Sequence, residues 1–124
     1  MKEQKDRGLR RLIRAAGYSL AGFRAAWKIE QAFRQEIYAL IIVIPAGLWL
    51  GPTFFQSAFL IGIYLIVPLT ELINSAIEAI VDRVGPEHHE LSGRAKDMGS
   101  AAVFLSICIA LIVWVLVALE RFIS

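Results

Sequence analysis

Five polar side chains recur along one otherwise apolar stretch: Glu71, Asn74, Ser75, Glu78 and Asp82. Their offsets of 0, 3, 4, 7 and 11 put all five within about 100° of arc on a helix turning about 100° per residue. The residues between them are Leu, Ile, Val and Ala. A carboxylate inside a bilayer span costs a few kcal/mol even on lenient insertion scales, and such residues usually face a bundle interior or a water-filled site. Three chemistries suit such a stripe. Carboxylates bind hard cations such as Mg²⁺, a partly desolvated carboxylate acts as a general base, and a third use is proton or cation transport. The plain alternative is helix–helix hydrogen bonding through Asn74 and Ser75, which has no need of the glutamates.

The segment that follows, Arg83-Val84-Gly85-Pro86-Glu87-His88-His89-Glu90-Leu91-Ser92-Gly93-Arg94-Ala95-Lys96-Asp97, is dense in cations and acids. It reads as a loop over 82–97. Lys and Arg suit phosphate oxygens and acids suit Mg²⁺. Together these are the parts of phosphoryl transfer, where positioning and charge stabilisation dominate. Neither G-x-x-x-x-G-K-[ST] nor G-x-G-x-x-G occurs, which excludes kinases of the P-loop and protein-kinase types. His88-His89-Glu90 is not an H-E-x-x-H zinc site, and the adjacent histidines read as solvated rather than as metal ligands. A single cysteine, Cys108, excludes an internal disulfide and a cysteine-based zinc site; with Trp114 it reads as a packing or lipid-facing residue of its span.

These side chains must be positioned by a small and very apolar chain. Of 124 residues 57% are hydrophobic and 19% are charged, against roughly 25% charged in an average soluble domain. A soluble domain of this length cannot bury that much apolar surface, so one integral-membrane domain over 1–124 is expected, of all-α class. No Asp, Glu, Lys or Arg occurs from Ile37 to Thr70, a run of 34 residues. As one helix it would be about 51 Å long at about 1.5 Å per residue, too long for a bilayer core of roughly 30 Å. Gly51-Pro52 divides it. Spans are predicted near 30–50 and 54–81, with a short uncharged link around Gly51 to Phe55, and a third span near 98–120. Residues 7–27 predict an amphipathic surface helix: Leu9, Leu12, Ile13, Ala16 and Leu20 share one face, and Arg7, Arg10, Arg11 and Arg14 the opposite one. Gly17 is a candidate break in it. Pro45 and Pro68, inside spans one and two, should each kink a helix or be absorbed by neighbouring groups.

Orientation follows from the placement of Lys and Arg. Residues 1–36 carry nine of them and the 82–97 segment three, the first link none, and the C-terminal tail only Arg121. The N-terminus and the 82–97 segment are expected in the cytoplasm, and the link and C-terminus on the opposite side. The first apolar stretch begins some 36 residues in, which does not fit a cleaved signal peptide. A net charge of +2 does not suggest a nucleic-acid partner.

Three long blocks resemble the prokaryotic diacylglycerol kinases: Glu71 through Arg83, His89 through Val103, and Ala15-Ala16-Gly17-Tyr18-Ser19 through Arg24-Ala25-Ala26-Trp27 to Glu30 and Phe33-Arg34-Gln35-Glu36. The resemblance covers nearly the whole chain apart from its extreme ends. It implies a three-span enzyme of the bacterial inner membrane with a surface helix, assembled as a homotrimer with sites at subunit interfaces. The implied reaction transfers the γ-phosphate of MgATP to the hydroxyl of diacylglycerol, giving phosphatidic acid. Carried over residue by residue, it implies Glu71 as general base and Glu30 and Glu78 as ligands of the Mg²⁺ on ATP. Arg11, Tyr18, Glu87, His88, His89, Lys96 and Asp97 are implied nucleotide contacts, and Asn74, Asp82, Glu36 and Glu90 further polar residues of the site. Lipid contacts are implied for Arg11, Ala15, Ala16, Gly17, Tyr18, Ser19, Leu20, Arg24, Ala25, Ala26 and Trp27 of the surface helix. The stretch Ala32, Phe33, Arg34, Gln35 and Glu36, and Trp49, Ser57, Glu71, Ser100 and Trp114, complete that set. The surface helix departs from the family's best-known member, with Arg14 for a lysine and Leu20-Ala21 for a tryptophan–lysine pair.

Three other readings compete. An undecaprenol kinase of the same family would keep the fold and the ATP site and change the acceptor. A small cation channel or transporter subunit would use Glu71 and Glu78 along a polar path across the bilayer. The stripe stops at Thr70, however, and Ala58 to Leu69 has only Tyr64 as a polar side chain, which favours a pocket open to one face. A membrane adaptor would have no need of buried glutamates.

Overall fold

The computed structural model describes residues 2–123, and the side chains of residues 7–123. Four helices follow one another: α1 (Lys2–Ile29), α2 (Gln31–Leu50), α3 (Phe54–Val84) and α4 (Glu90–Ile123). There is no strand among the described residues. α2, α3 and α4 are each long and apolar enough to cross a membrane, and α1 is amphipathic.

α4 packs mainly on α3, and α2 on α3, so α3 is the central helix. The α3–α4 contact is built on small residues. Gly99, Val103, Ser106 and Ala110 recur every three or four residues along α4 and are its buried positions. Such a stripe lets two backbones approach closely where no water drives association. Leu60 of α3 is fully enclosed. At the far end Arg121 stands over the Trp49 ring, 4.9 Å from its centroid, and ties α4 to α2.

The helix joints are short. Thr53 caps α3, its hydroxyl accepting from the Gln56 amide at 3.2 Å. A single residue, Glu30, joins α1 to α2. Its amide donates to the Ala26 carbonyl at 2.8 Å and its carbonyl accepts from the Arg34 amide at 3.3 Å. The Arg34 guanidinium folds back over this elbow and donates to the carbonyls of Trp27 at 2.6 Å and Lys28 at 3.2 Å. Those are orphan acceptors of the last turn of α1.

Two expectations need correction, the break at Gly17 and the loop over 82–97. α1 runs unbroken through Gly17. One glycine costs about 1 kcal/mol relative to alanine, and the alanines and leucines around it are good helix formers. Only residues 85–89 of the expected 82–97 loop lie outside helices. Glu90 to Asp97 form the first turns of α4, because Glu90 favours a helix N-terminus and pairs with Arg94 four residues on, at 3.6 Å. The high charge density marks an exposed helix face, not a loop. Pro45 and Pro68 both lie within continuous helices.

Candidate active site

The polar stripe faces the interior of the fold at one end of the bundle. Glu71, Asn74, Ser75 and Glu78 are half-buried, whereas Asp82 at the end of α3 is exposed. A cavity of about 670 Å³ opens between α1 and α3, with Glu30, Ser75, Glu78 and Asp82 in its wall. Ser19, Gly22, Phe23 and Ala26 of α1 form the opposite side. Glu30 reaches it because the residue sits at the elbow in an extended conformation and makes no side-chain cap.

Two rungs of carboxylates result. Glu30 and Glu78 share the cavity wall, and Glu36 of α2 and Glu71 of α3 are close enough to interact. The chain spacing explains this pairing. Glu36 is six residues beyond Glu30 on α2, and Glu71 is seven before Glu78 on α3. On antiparallel neighbours both intervals amount to about 10 Å at about 1.5 Å per residue. Glu36 Oε2 is buried and makes no hydrogen bond among the described residues, so one lone-pair site at the inner rung faces no protein donor.

The rungs are held by neighbours that the stripe does not announce. Asn74 Nδ2 donates to Glu78 Oε1 at 3.3 Å. Gly99 of α4 lies so close to Asn74 that a Cβ there would overlap Asn74 Oδ1 and stand 3.2 Å from its Cγ. Lys96 Nζ donates to Asp82 Oδ1 at 2.8 Å, with both side chains substantially exposed (44% and 67%). Tyr64 Oη donates to the Glu36 carbonyl at 2.7 Å and ties α3 to α2 beside the inner rung.

Other expected site residues scatter. Tyr18 is 74% exposed on α1, and Arg11, Ala15, Ala16, Gly17 and Leu20 are exposed on the same helix. Glu87, His88 and His89 are exposed in the 85–89 turn. His89 serves its own turn. Its Nδ1 accepts from the Leu91 amide at 3.1 Å, and its carbonyl accepts from the Gly93 amide at 2.9 Å. The ring therefore caps α4. Asp97 and Ser100 lie near the same end, Ser100 exposed. Arg24, Ala25, Trp27 and Phe33 line a second, more open cavity of about 790 Å³ at the elbow, with Lys28 on its wall. Ala32 and Gln35 lie on the first turns of α2. Trp49, Ser57 and Trp114 stand away from the carboxylates. Ser57 is buried and donates to the Gly51 carbonyl at 3.3 Å, and Trp114 Nε1 donates to the Leu60 carbonyl at 3.0 Å.

Among the described residues no three His, Cys, Asp or Glu side chains converge as a metal cage. Two carboxylates on one cavity wall, Glu30 and Glu78, are a different donor set. They fit a metal that arrives with most of its oxygens supplied by phosphate and water.

The model of the family "Prokaryotic diacylglycerol kinase" matches residues 17–118. The chain belongs to the prokaryotic diacylglycerol kinase family. It is 50% identical to the diacylglycerol kinase of Escherichia coli (strain K12) over 115 residues, 93% of this chain and 94% of that one. It is 50% identical to the diacylglycerol kinase of Haemophilus influenzae over 110 residues, 89% of this chain and 93% of that one. For the diacylglycerol kinase of Pseudomonas aeruginosa the figures are 46% over 112 residues, 90% and 91%. The protein is thus an enzyme, a lipid kinase, and with three apolar helices a bacterial membrane protein. That sets aside the channel and adaptor readings. Its substrates are a lipid and a nucleotide, with the metal-ion requirement general to kinases.

Proposed function

We propose that this kinase transfers the γ-phosphate of MgATP directly to the hydroxyl of diacylglycerol, giving phosphatidic acid and ADP, with Glu71 as general base. The observation that carries the reading is the two-rung arrangement: Glu30 and Glu78 on the wall of an open cavity, and Glu71 beside Glu36 farther in. A nucleotide enters from the side of Asp82 and a lipid hydroxyl from the apolar side. Counted from Phe54, about 20 residues at about 1.5 Å span a bilayer core of roughly 30 Å. Glu71 then stands at the core's edge, and Glu78 and Asp82 beyond it.

The steps follow from the side chains. Glu71 takes the hydroxyl proton of the lipid as its oxygen forms the new bond to the γ-phosphorus, and the bond from that phosphorus to the bridging oxygen of ADP breaks. Glu30 and Glu78 would hold Mg²⁺, which when bound neutralises charge on the transferring phosphoryl group. Asn74 orients Glu78. Lys96, beside Asp82, presents a cation to the phosphates, with Arg11, Tyr18, Glu87, His88, His89 and Asp97 as nucleotide contacts from α1, the turn and the start of α4. In this reading the N-terminus and the 85–89 turn are cytoplasmic, the C-terminus is on the opposite side, and the enzyme is a homotrimer with sites shared at subunit interfaces. α1 lies on the membrane surface, since its Leu9, Leu12 and Ile13 stay exposed against the rest of the chain.

The test is ATP-dependent phosphorylation in mixed micelles, offering diacylglycerol and undecaprenol separately, with Glu71→Gln beside the parent. Labelled phosphatidic acid from the parent, and almost none from Glu71→Gln, is the expected result. Product from undecaprenol alone would move the substrate, and an active Glu71→Gln would remove the base.

A further inference from the structure

Pro68 sits in mid-α3, three residues before Glu71. Its nitrogen carries no hydrogen, so the Tyr64 carbonyl loses its helical partner, and the ring crowds that carbonyl. In a membrane helix such a point is held by side chains of neighbouring helices. Three side-chain hydrogen bonds tie this stretch of α3 to its neighbours. Trp114 of α4 donates to the Leu60 carbonyl at 3.0 Å, the Tyr64 hydroxyl donates to the Glu36 carbonyl of α2 at 2.7 Å, and Thr70 Oγ1 and Ser106 Oγ of α4 lie 3.0 Å apart.

The last pair stands next to the chemistry, since Thr70 immediately precedes Glu71. Ser106 is 4% exposed. Each hydroxyl is also in reach of a carbonyl of its own helix, Val67 at 2.8 Å for Thr70 and Val103 at 2.6 Å for Ser106. Two protons are thus shared among three contacts. The Val67 carbonyl is the one that the Glu71 amide uses in a regular helix, so the Thr70 hydroxyl acts on the turn that carries Glu71. One turn further, the Gly99–Asn74 approach fixes α3 against α4 again, and Lys96–Asp82 fixes its end. The stretch containing Glu71 is held on both sides.

We propose that Thr70 and Ser106 are positioning residues: their hydrogen bond fixes the rotation of the proline-weakened turn and so holds the Glu71 carboxyl beside Glu36. The pair acts through Glu71, and its purpose rests on the reading of Glu71 as general base.

The test compares Thr70→Val, Ser106→Ala, the double variant and Thr70→Ser with the parent and with Glu71→Gln, under lipid saturation. Rates are taken per folded enzyme, the folded fraction read from thermal unfolding in the same micelles. Thr70→Val and Ser106→Ala are expected to lower kcat about ten-fold, the scale of a slightly misplaced catalytic group. The KM for ATP stays within about two-fold, because Glu78 and Asp82 keep their own contacts, and the double variant is no worse than either single one. Thr70→Ser, which keeps the hydroxyl, returns kcat to within about two-fold of the parent. Parental kcat in the single variants, additive losses, or failure of Thr70→Ser to rescue would overturn the proposal. An inactive Glu71→Gln with a normal Thr70→Val removes the positioning pair alone. A fully active Glu71→Gln removes the base, and the pair's purpose with it.

Discussion

Gly99→Ala should weaken the hold on Mg²⁺ without weakening the fold. An added Cβ at residue 99 overlaps Asn74 Oδ1, with Asn74 Cγ 3.2 Å away and no backbone clash within that distance. The obstructing atom is the end of a side chain, so Asn74 relieves the overlap by rotating. Rotation breaks its hydrogen bond to Glu78, now 3.3 Å long. A hydrogen bond to a charged group contributes about 1.5–3 kcal/mol, and the length of this one puts it near the lower end. Since about 1.4 kcal/mol is a factor of ten, the Mg²⁺ concentration for half-maximal activity should rise about ten-fold. Alanine is about 1 kcal/mol better than glycine in a helix, which offsets part of the repacking, so thermal unfolding in micelles should shift little. The assay is lipid phosphorylation titrated with Mg²⁺ at fixed ATP, with Gly93→Ala as control, where a Cβ meets nothing within 4 Å. An unchanged Mg²⁺ requirement in Gly99→Ala, or an equal change in Gly93→Ala, would refute the chain from Gly99 through Asn74 to Glu78.

Two further outcomes follow from the same contacts. His89→Ala removes a cap and should lower stability by about 1 kcal/mol, while His89→Asn keeps a capping acceptor and should restore most of it; amide exchange at Leu91 and the unfolding midpoint report this, and equal behaviour of the two variants would deny the cap. Asp82→Asn and Lys96→Met disrupt an exposed ion pair, so stability should change by less than about 1 kcal/mol, while the KM for ATP rises. A loss of stability matching the loss of rate would instead make the pair structural.

The spans and the stripe are legible in the sequence because bilayer thickness and helical period act on every residue of the chain. The pairing of Glu36 with Glu71 is legible in principle, from intervals of six and seven residues on antiparallel neighbours, although no local pattern marks Glu36 as more than a polar residue at a lipid contact. Thr70 and Ser106 are 36 residues apart, and nothing local sets the register that joins them. That register depends on the small residues of α4. Arg34 is expected as a lipid contact but serves the elbow, and His89 reads as solvated but caps α4. Both bonds depend on where a helix ends, to the residue, which is the least legible property of a helix. Glu90 to Asp97 are opaque for a different reason, since charge density alone does not separate an exposed helix turn from a loop.

The elbow has one more meaning. Glu30 closes the hydrogen bonding of one helix with its amide and opens that of the next with its carbonyl, while its side chain borders the cavity. There is no slack chain between the amphipathic α1 and the apolar α2. The tilt of the first against the second and the aim of this carboxylate are a single mechanical coordinate. With α1 on the membrane surface, as proposed above, the bilayer surface becomes a reference plane from which the carboxylate's position is set. Thinning, curving or dissolving that plane alters the site without touching a residue of it.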